Sequence, residues 1–557
     1  VQKSTLVTAL AACIIFSGTA NAEDDNGKAA GEPKLVVAIS VDQLSSNLFD
    51  EYRSSFTGGL KRLAHGVIFP SGYQSHAATE TCPGHATIMT GVHSGRAGII
   101  ANNWIDLSIR RDDKTVYCAE DERIEGTSFG DITAATQGDY IASAWHLLVP
   151  TLGERLKKTS PQSRNVAVAG KDRAALMMGG KQVDEIYWWQ GKGFATLHDR
   201  RTLPSIAALN QAIGTTIDKA RPAYETPAQC AARNARIMHG EGKSVGDYAF
   251  QRPDGAASIY RGSPDFDGSV IAAASALVSE MKLGQGEATD ILSIGLSATD
   301  YIGHAFGTQG LEMCIQMAEL DRSLGQFFDI LDREGIDYAV MLTSDHGGLD
   351  LPERLILQGV PTAQRVDPNL NARAIGQIVA KDLGIPGDKP VLHADSPFGD
   401  YYVSLDLPEQ QRQRVKDSAM ALIASHAQVE AVIDRDDLAG VTVPNGSPES
   451  WTLAQRVKAS FHPDRSGDFV VLLKKAVTPI ATTARGYVAT HGSPWDYDRR
   501  VPILFWREGI RQFEQPLSVM TVDIAPTLGA LIGVEIPAEE TDGKCLDIDG
   551  GPANSCE

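Results

Sequence analysis

Six side chains in this sequence have the types and spacing of metal ligands. Asp300 and His304 are four residues apart, which places both on one face of a helix. Asp345 and His346 are adjacent and precede Gly347 and Gly348, where the backbone can turn and aim both inward. Asp42 closes the apolar run Leu35–Val41, and His491 sits in Thr490-His491-Gly492-Ser493. Mixed Asp and His ligation suits zinc, or manganese with more oxygen ligands. Taken singly, an Asp at a strand end reads as a helix N-cap and a lone His as a core or surface residue. Taken jointly, three strand ends carrying Asp and two carrying His make a metal centre the better reading.

A second segment, 79–87, reads Thr-Glu-Thr-Cys-Pro-Gly-His-Ala-Thr. Small residues and Pro83 fit a strand-to-helix turn with Thr81 near the helix N-terminus, where unpaired N–H groups and the helix dipole favour an alkoxide and a phosphate oxygen. By itself the segment reads better as a capped helix with an inert Thr. Cys82 has no His or Asn context that would make it a nucleophile, so a disulfide or a buried role is expected.

These residues need elements that bring them together. Leu35–Val41, 166–169, 291–296, Tyr338–Thr343 and 501–506 are short apolar runs, as in a parallel sheet buried on both faces. Residues 311–331 and 524–532 carry apolar side chains at helical spacing. The alternation predicts an α/β fold, a mostly parallel central sheet flanked by helices, with ligands at the carboxyl ends of strands. Residues 186–289 and 361–484 break the pattern and read as two inserted cap regions. They leave core segments 33–185, 290–360 and 485–540 and a tail, 541–557.

Composition bounds the function. The chain has 557 residues with 51 basic and 70 acidic side chains, a net charge of −19. A hydrophobic share of 43% and a charged share of 22% fit a globular protein and argue against disorder, collagen or a coiled coil. The sequence pI of ≈ 5.2 argues against a nucleic-acid-binding module, and an anionic substrate would need local positive charge. After the N-terminus no apolar run is long enough to span a membrane. Residues 1–22 read as a signal peptide: Lys3, an apolar stretch, then Ala20-Asn21-Ala22 as a cleavage site. The expectation is an exported protein, periplasmic or secreted. Six cysteines then remain, an even number in an oxidising compartment. Cys545 and Cys556 are close enough in sequence to staple the tail, whereas Cys82, Cys118, Cys230 and Cys314 allow three pairings. The acidic stretches 265–268 and 547–550 are possible Ca²⁺ sites but are far shorter than an EF-hand loop, and solvated turns are expected. Oligomeric state leaves no signature.

Thr81-Cys82-Pro83-Gly84-His85, followed by Gly98-Ile99-Ile100-Ala101-Asn102-Asn103, resembles the T-x-P-x-H…G-I-I-x-N-N signature of the nucleotide pyrophosphatase/phosphodiesterase branch of the alkaline phosphatase superfamily. Lys171-Asp172-Arg173 resembles the K-x-R pair of its single-chain PafA/PhoK-type alkaline phosphatases. The resemblance implies one Zn²⁺ held by Asp300, His304 and His491, and a second held by Asp42, Asp345, His346 and the Thr81 oxygen. It implies a phosphothreonine intermediate on Thr81, with Asn102, Lys171 and Arg173 binding the non-bridging oxygens of a small phosphate monoester. The sulfatase pattern C/S-x-P-x-R fails at His85. The larger alkaline phosphatases place Ser where this chain has Thr81. A phosphodiesterase on the same site and a non-catalytic exported binding protein are the alternatives. Lys171 and Arg173 argue against the first, and the complete ligand set against the second.

Overall fold

A computed structural model describes residues 31–124 and 140–557, so the expected signal peptide lies outside the described residues. A ten-stranded sheet runs through the molecule. Its centre is parallel: Tyr338–Thr343, Leu35–Val41, Asp290–Leu296, Asn165–Ala169 and Glu185–Gln190 lie side by side in that order. Every residue of Leu35–Val41, Asp290–Leu296 and Tyr338–Thr343 is buried, which is why these segments read as unbroken apolar runs rather than alternating ones. Arg500–Arg507 pairs antiparallel with Tyr338–Thr343 and with Val67–Tyr73. The start of Arg500–Arg507 therefore shares an edge with the carboxyl ends of the parallel strands.

Helices cover both faces. Leu311–Arg333 buries its apolar stripe, including Met317, Leu324 and Phe328, in one core cluster with Val37 and Ile294 of the sheet. Ile524–Leu531 packs on the opposite face with Val36 and Met341. Among the described residues no helix is long and apolar enough to cross a membrane.

The sheet continues past residue 185. Glu185–Gln190 pairs with Asn165–Ala169, and Gly193–Ala195 forms the last strand. Pro204–Ile217 and Pro264–Met281 contribute Ile206, Ile213, Val270 and Leu277 to the main core. The Trp and polar content of 186–289 masks these elements in the sequence. Within 361–484 a separate antiparallel sheet forms, ordered Leu392–His393, Gly399–Val403, Phe469–Leu473 and Val429–Asp434. It has its own apolar cluster with Ile375, Val415 and Ile423 of two covering helices.

The structure overturns one expected turn. Residues 265–268 open the helix Pro264–Met281. Asp267 is buried and accepts from Ala298 N at 2.9 Å and Gln316 Nε2 at 2.8 Å. Asp265 pairs with Arg221 at 2.8 Å. Residues 547–550 do form a turn, in which Asp547 Oδ1 accepts from Asp549 N at 3.0 Å and Ser555 N at 3.1 Å. Disulfides join Cys82 to Cys118, Cys230 to Cys314 and Cys545 to Cys556.

Candidate active site

The carboxyl edge of the sheet gathers the candidate residues. Asp42 follows Leu35–Val41 directly, and its N–H bonds Leu296 O at 2.8 Å. Asp300 and His304 stand four apart on the helix Ala298–Phe306, which begins just past Asp290–Leu296. Asp345 and His346 come two and three residues after Tyr338–Thr343. His491 enters on the segment that leads into Arg500–Arg507.

Two acid–histidine groups result. Asp300, His304 and His491 place ligand atoms within 4.8 Å of one another, as do Asp42, His85 and Asp345. In the first, His304 Nε2 and His491 Nε2 lie 3.2 and 3.4 Å from Asp300 Oδ1. In the second, His85 Nε2 is 3.3 Å from Asp42 Oδ1. His346, which the sequence assigns to the second group, keeps its Nε2 3.2 Å from Asp345 Oδ2, while its ring stacks on His491 at 3.5 Å between centroids. The two groups thus abut through the His346–His491 pair.

The donor set fits metal ions. Asp42 Oδ1, Asp300 Oδ1, Asp345 Oδ2, His346 Nε2 and His85 Nε2 are buried and, among the described residues, have no hydrogen-bond partner. Such atoms are costly in a protein interior unless a cation meets them. The histidines are oriented for it. Nδ1 of His304 meets Ala489 O at 2.9 Å, that of His346 meets Gly347 O at 2.9 Å, and that of His491 meets Thr79 O at 2.8 Å. A carbonyl only accepts, so Nδ1 carries the proton and Nε2 presents its lone pair, the arrangement of metal-binding imidazoles.

The nucleophile candidate and the cations meet the same edge. Thr81 begins the helix Thr81–Thr90, with Glu80 extended before it. Gly84 lets this helix approach the strand end closely, since a Cβ there would run into the Asp345 carbonyl. The Lys171 ammonium lies 2.8 Å from Asp42 Oδ2, 2.6 Å from Asp300 Oδ2 and 3.4 Å from Thr81 Oγ1. It therefore sits between the two groups and beside the hydroxyl.

Burial would raise the Asp42 and Asp300 carboxyls. Lys171 and His85 outweigh it at Asp42, and His304, Lys171 and His491 at Asp300, so both are held below the usual carboxylate range. The same carboxylates raise Lys171 against burial, which alone would lower it. At Asp345 burial and the Asp42 charge prevail and push the carboxyl up to about 7.

Arg173, half-buried, has its guanidinium 3.4 Å from Tyr117 Oη. The neighbouring Asp172 is taken up by Tyr117 and Tyr140, whose hydroxyls donate at 2.7 and 2.5 Å. Among the described residues no carboxylate, that of the adjacent Asp172 included, forms an ion pair with the Arg173 guanidinium. Asn102 N donates to Glu80 Oε2 at 2.6 Å, and Asn102 Oδ1 accepts from Cys82 N at 2.8 Å. The amide NH₂ is what remains for an anion.

The sequence reading missed three residues that the fold places here. They are His85, which bonds Thr81 O through Nδ1 at 2.8 Å, Glu80, and Tyr117. His85 had a signal, the same four-residue step from Thr81 that links Asp300 to His304.

The family model for type I phosphodiesterase / nucleotide pyrophosphatase matches residues 36–494. The chain is 50% identical over 531 residues to alkaline phosphatase PhoK of a Sphingomonas species, covering 95% of this chain and 93% of that protein. It is 46% identical over 525 residues to alkaline phosphatase PhoD of Zymomonas mobilis, covering 94% and 89%. Its fold is similar to the crystal structure of wild-type alkaline phosphatase PafA, with a TM-score of 0.80 at 23% identity over 94% of this chain and 100% of that one. A family match across most of the chain, together with these two relatives, places it in the type I phosphodiesterase/nucleotide pyrophosphatase family, among the single-chain PafA/PhoK-type members of the alkaline phosphatase superfamily.

Proposed function

We propose that this protein is a zinc-dependent alkaline phosphatase that hydrolyses phosphate monoesters through a phosphothreonine on Thr81. The observation that carries the reading is the Lys171 ammonium, held between Asp42 and Asp300 and 3.4 Å from Thr81 Oγ1. It puts a hydroxyl, a fixed cation and two buried ligand groups in one chamber.

Asp300, His304 and His491 would hold one ion, and Asp42, Asp345 and His346 the other, with the Thr81 oxygen completing the second. Ions so held would supply charge stabilisation to the attacking and leaving oxygens. Thr81 is a weak nucleophile until deprotonated, and its place at a helix N-terminus favours the alkoxide. Its oxygen attacks phosphorus, the bond to the leaving group breaks, and water later cleaves the Thr81–phosphate bond. The NH₂ of Asn102, Lys171 and Arg173 bind the non-bridging oxygens, where charge accumulates. His85 holds the first turn of the Thr81 helix through Thr81 O.

A diesterase reading follows from the family model's description. The Lys171 cation beside the nucleophile, with Arg173 two residues further along the chain, favours the monoester dianion instead. Three disulfides suit an oxidising compartment, in keeping with a periplasmic or secreted enzyme.

The test is hydrolysis of a phosphate monoester and a diester, before and after chelation and zinc add-back. Chelation should abolish monoester turnover and zinc should restore it. Full activity in metal-free protein would sink the reading.

A further inference from the structure

Next to the phosphate-binding groups lies a cavity that the hydrolytic chemistry leaves unused. Glu80, Trp104, Phe398, Asp400, Tyr402 and Phe461 line it. Its wall also includes Asn103 and Gly492, so three lining residues are chain neighbours of Thr81, Asn102 and His491. The approach is close: a Cβ on Gly492 would stand 2.8 Å from Phe398 Cζ and 3.6 Å from Glu80 Oε1. Three stretches of backbone thus carry both the candidate site and this wall.

The chemistry of the cavity contrasts with that of the reacting groups. Four aromatic rings face the space, and among the described residues no Lys or Arg lines it. Three cations stand behind the wall: Lys458, with Nζ 5.3 Å from the Phe461 ring centroid, and two arginines whose N–H groups are turned to backbone. Arg465 lies 5.2 Å from the Trp104 ring centroid and donates to His146 O at 2.8 Å. Arg435 donates to Pro463 O at 2.7 Å. The acids do line it. Glu80 holds Asn102 N, and Asp400 Oδ1 accepts from Gly467 N at 2.7 Å. Burial pushes the Asp400 carboxyl up to about 6, so it is ionised in alkaline solution. A ligand here meets aromatic faces and carboxylates, while its phosphate meets Lys171 and Arg173. Rings reward a flat apolar group, and buried carboxylates penalise a second anion.

We propose that this cavity receives the leaving group of the phosphate monoester and selects aromatic alcohols without negative charge over anionic ones. The inference rests on the monoesterase reading and adds a substrate class to it.

The experiment compares kcat/KM for 4-carbamoylphenyl phosphate, its near-isosteric anion 4-carboxyphenyl phosphate, and ethyl phosphate, which carries no aromatic ring to stack. Wild-type enzyme should favour the carbamoyl ester by about tenfold or more, and Asp400→Asn should narrow that ratio. Phe398→Ala should cost the aryl esters about tenfold while ethyl phosphate loses far less, which also reports that the variant is folded. A carbamoyl-to-carboxyl ratio within about twofold, or equal losses for aryl and ethyl esters in Phe398→Ala, would overturn the inference and leave the monoesterase reading standing. Failure of wild-type enzyme on all three esters would overturn both.

Discussion

Lys171 and Arg173 differ in what they touch, and that difference sets a prediction. Lys171 is pinned by Asp42 and Asp300, whereas the Arg173 guanidinium, among the described residues, bonds the Tyr117 hydroxyl. A monoester dianion has three non-bridging oxygens and a diester monoanion has two. Lys171→Ala/Arg173→Ala should therefore reduce monoester kcat/KM by orders of magnitude more than diester kcat/KM, since each charge-assisted bond gained in the transition state is worth about tenfold or more. Equal losses would return weight to the diesterase reading. Asn102→Ala should harm both reactions more evenly. A second residue-scale prediction concerns His76, fully buried with both ring nitrogens lacking a side-chain partner. Burial, then His93 and Arg499, depress it to about 3. Because the unfolded chain takes up the proton first, folding stability should fall as pH drops from about 6.5 toward 3 and be full above that window. Thermal melts across this range should show a weaker acid dependence in His76→Phe than in wild type, and identical slopes would refute the assignment. At this scale the strand-end Asp and His residues were legible because their apolar strands point to them. His85 was not, because one histidine inside a helix has many structural uses and only the folded strand ends set it against Asp42 and Asp345.

The disulfide Cys82–Cys118 acts between elements. Cys82 follows Thr81 on the first turn of its helix, and Cys118 follows Tyr117 at the end of the strand Thr115–Tyr117. That strand pairs with Asn103–Ile105, which starts just after Asn102, and Cys118 N bonds Asn102 O at 2.9 Å. One short hairpin thus ties together the Thr81 turn, the Asn102 amide and the tyrosine beside Arg173. The double variant Cys82→Ser/Cys118→Ser should lose kcat/KM by about tenfold or more while zinc content is retained, because the six Asp and His ligands lie on other elements. Wild-type kinetics in this variant would show that the hairpin needs no covalent tie. The central strands were readable since burial on both faces removes polar alternation. The hairpin was not, because three-residue strands carry too little pattern, and Gly193–Ala195 escaped for the same reason. The continuation of the sheet through Glu185–Gln190 was hidden by Trp188 and Trp189, which are buried side chains in a stretch whose flanks are polar.

Across the whole molecule, acids outnumber bases 70 to 51 while Lys171 and Arg173, the cations proposed to bind phosphate, sit at one edge of the sheet. The sequence made the α/β class and the edge location readable, because both follow from strand pattern and chain order. It could not rank the pairings of Cys82, Cys118, Cys230 and Cys314, which depend on which elements meet in space. Bringing Asp42, Asp300 and Asp345 together in the interior opposes folding unless cations compensate them. Chelation should accordingly lower the melting temperature, and zinc should raise it with added concentration, as expected for a ligand bound only by the folded state. A melting temperature indifferent to both would separate these carboxylates from metal binding. The central claim is covalent: Thr81 carries the phosphoryl group during turnover. Mass spectrometry of enzyme quenched while hydrolysing a phosphate monoester measures it directly. The account predicts one phosphate on the peptide containing Thr81, absent from Thr81→Ala protein that remains folded and has lost turnover by several orders of magnitude. Phosphate trapped on another residue, or wild-type rates in Thr81→Ala, would contradict it.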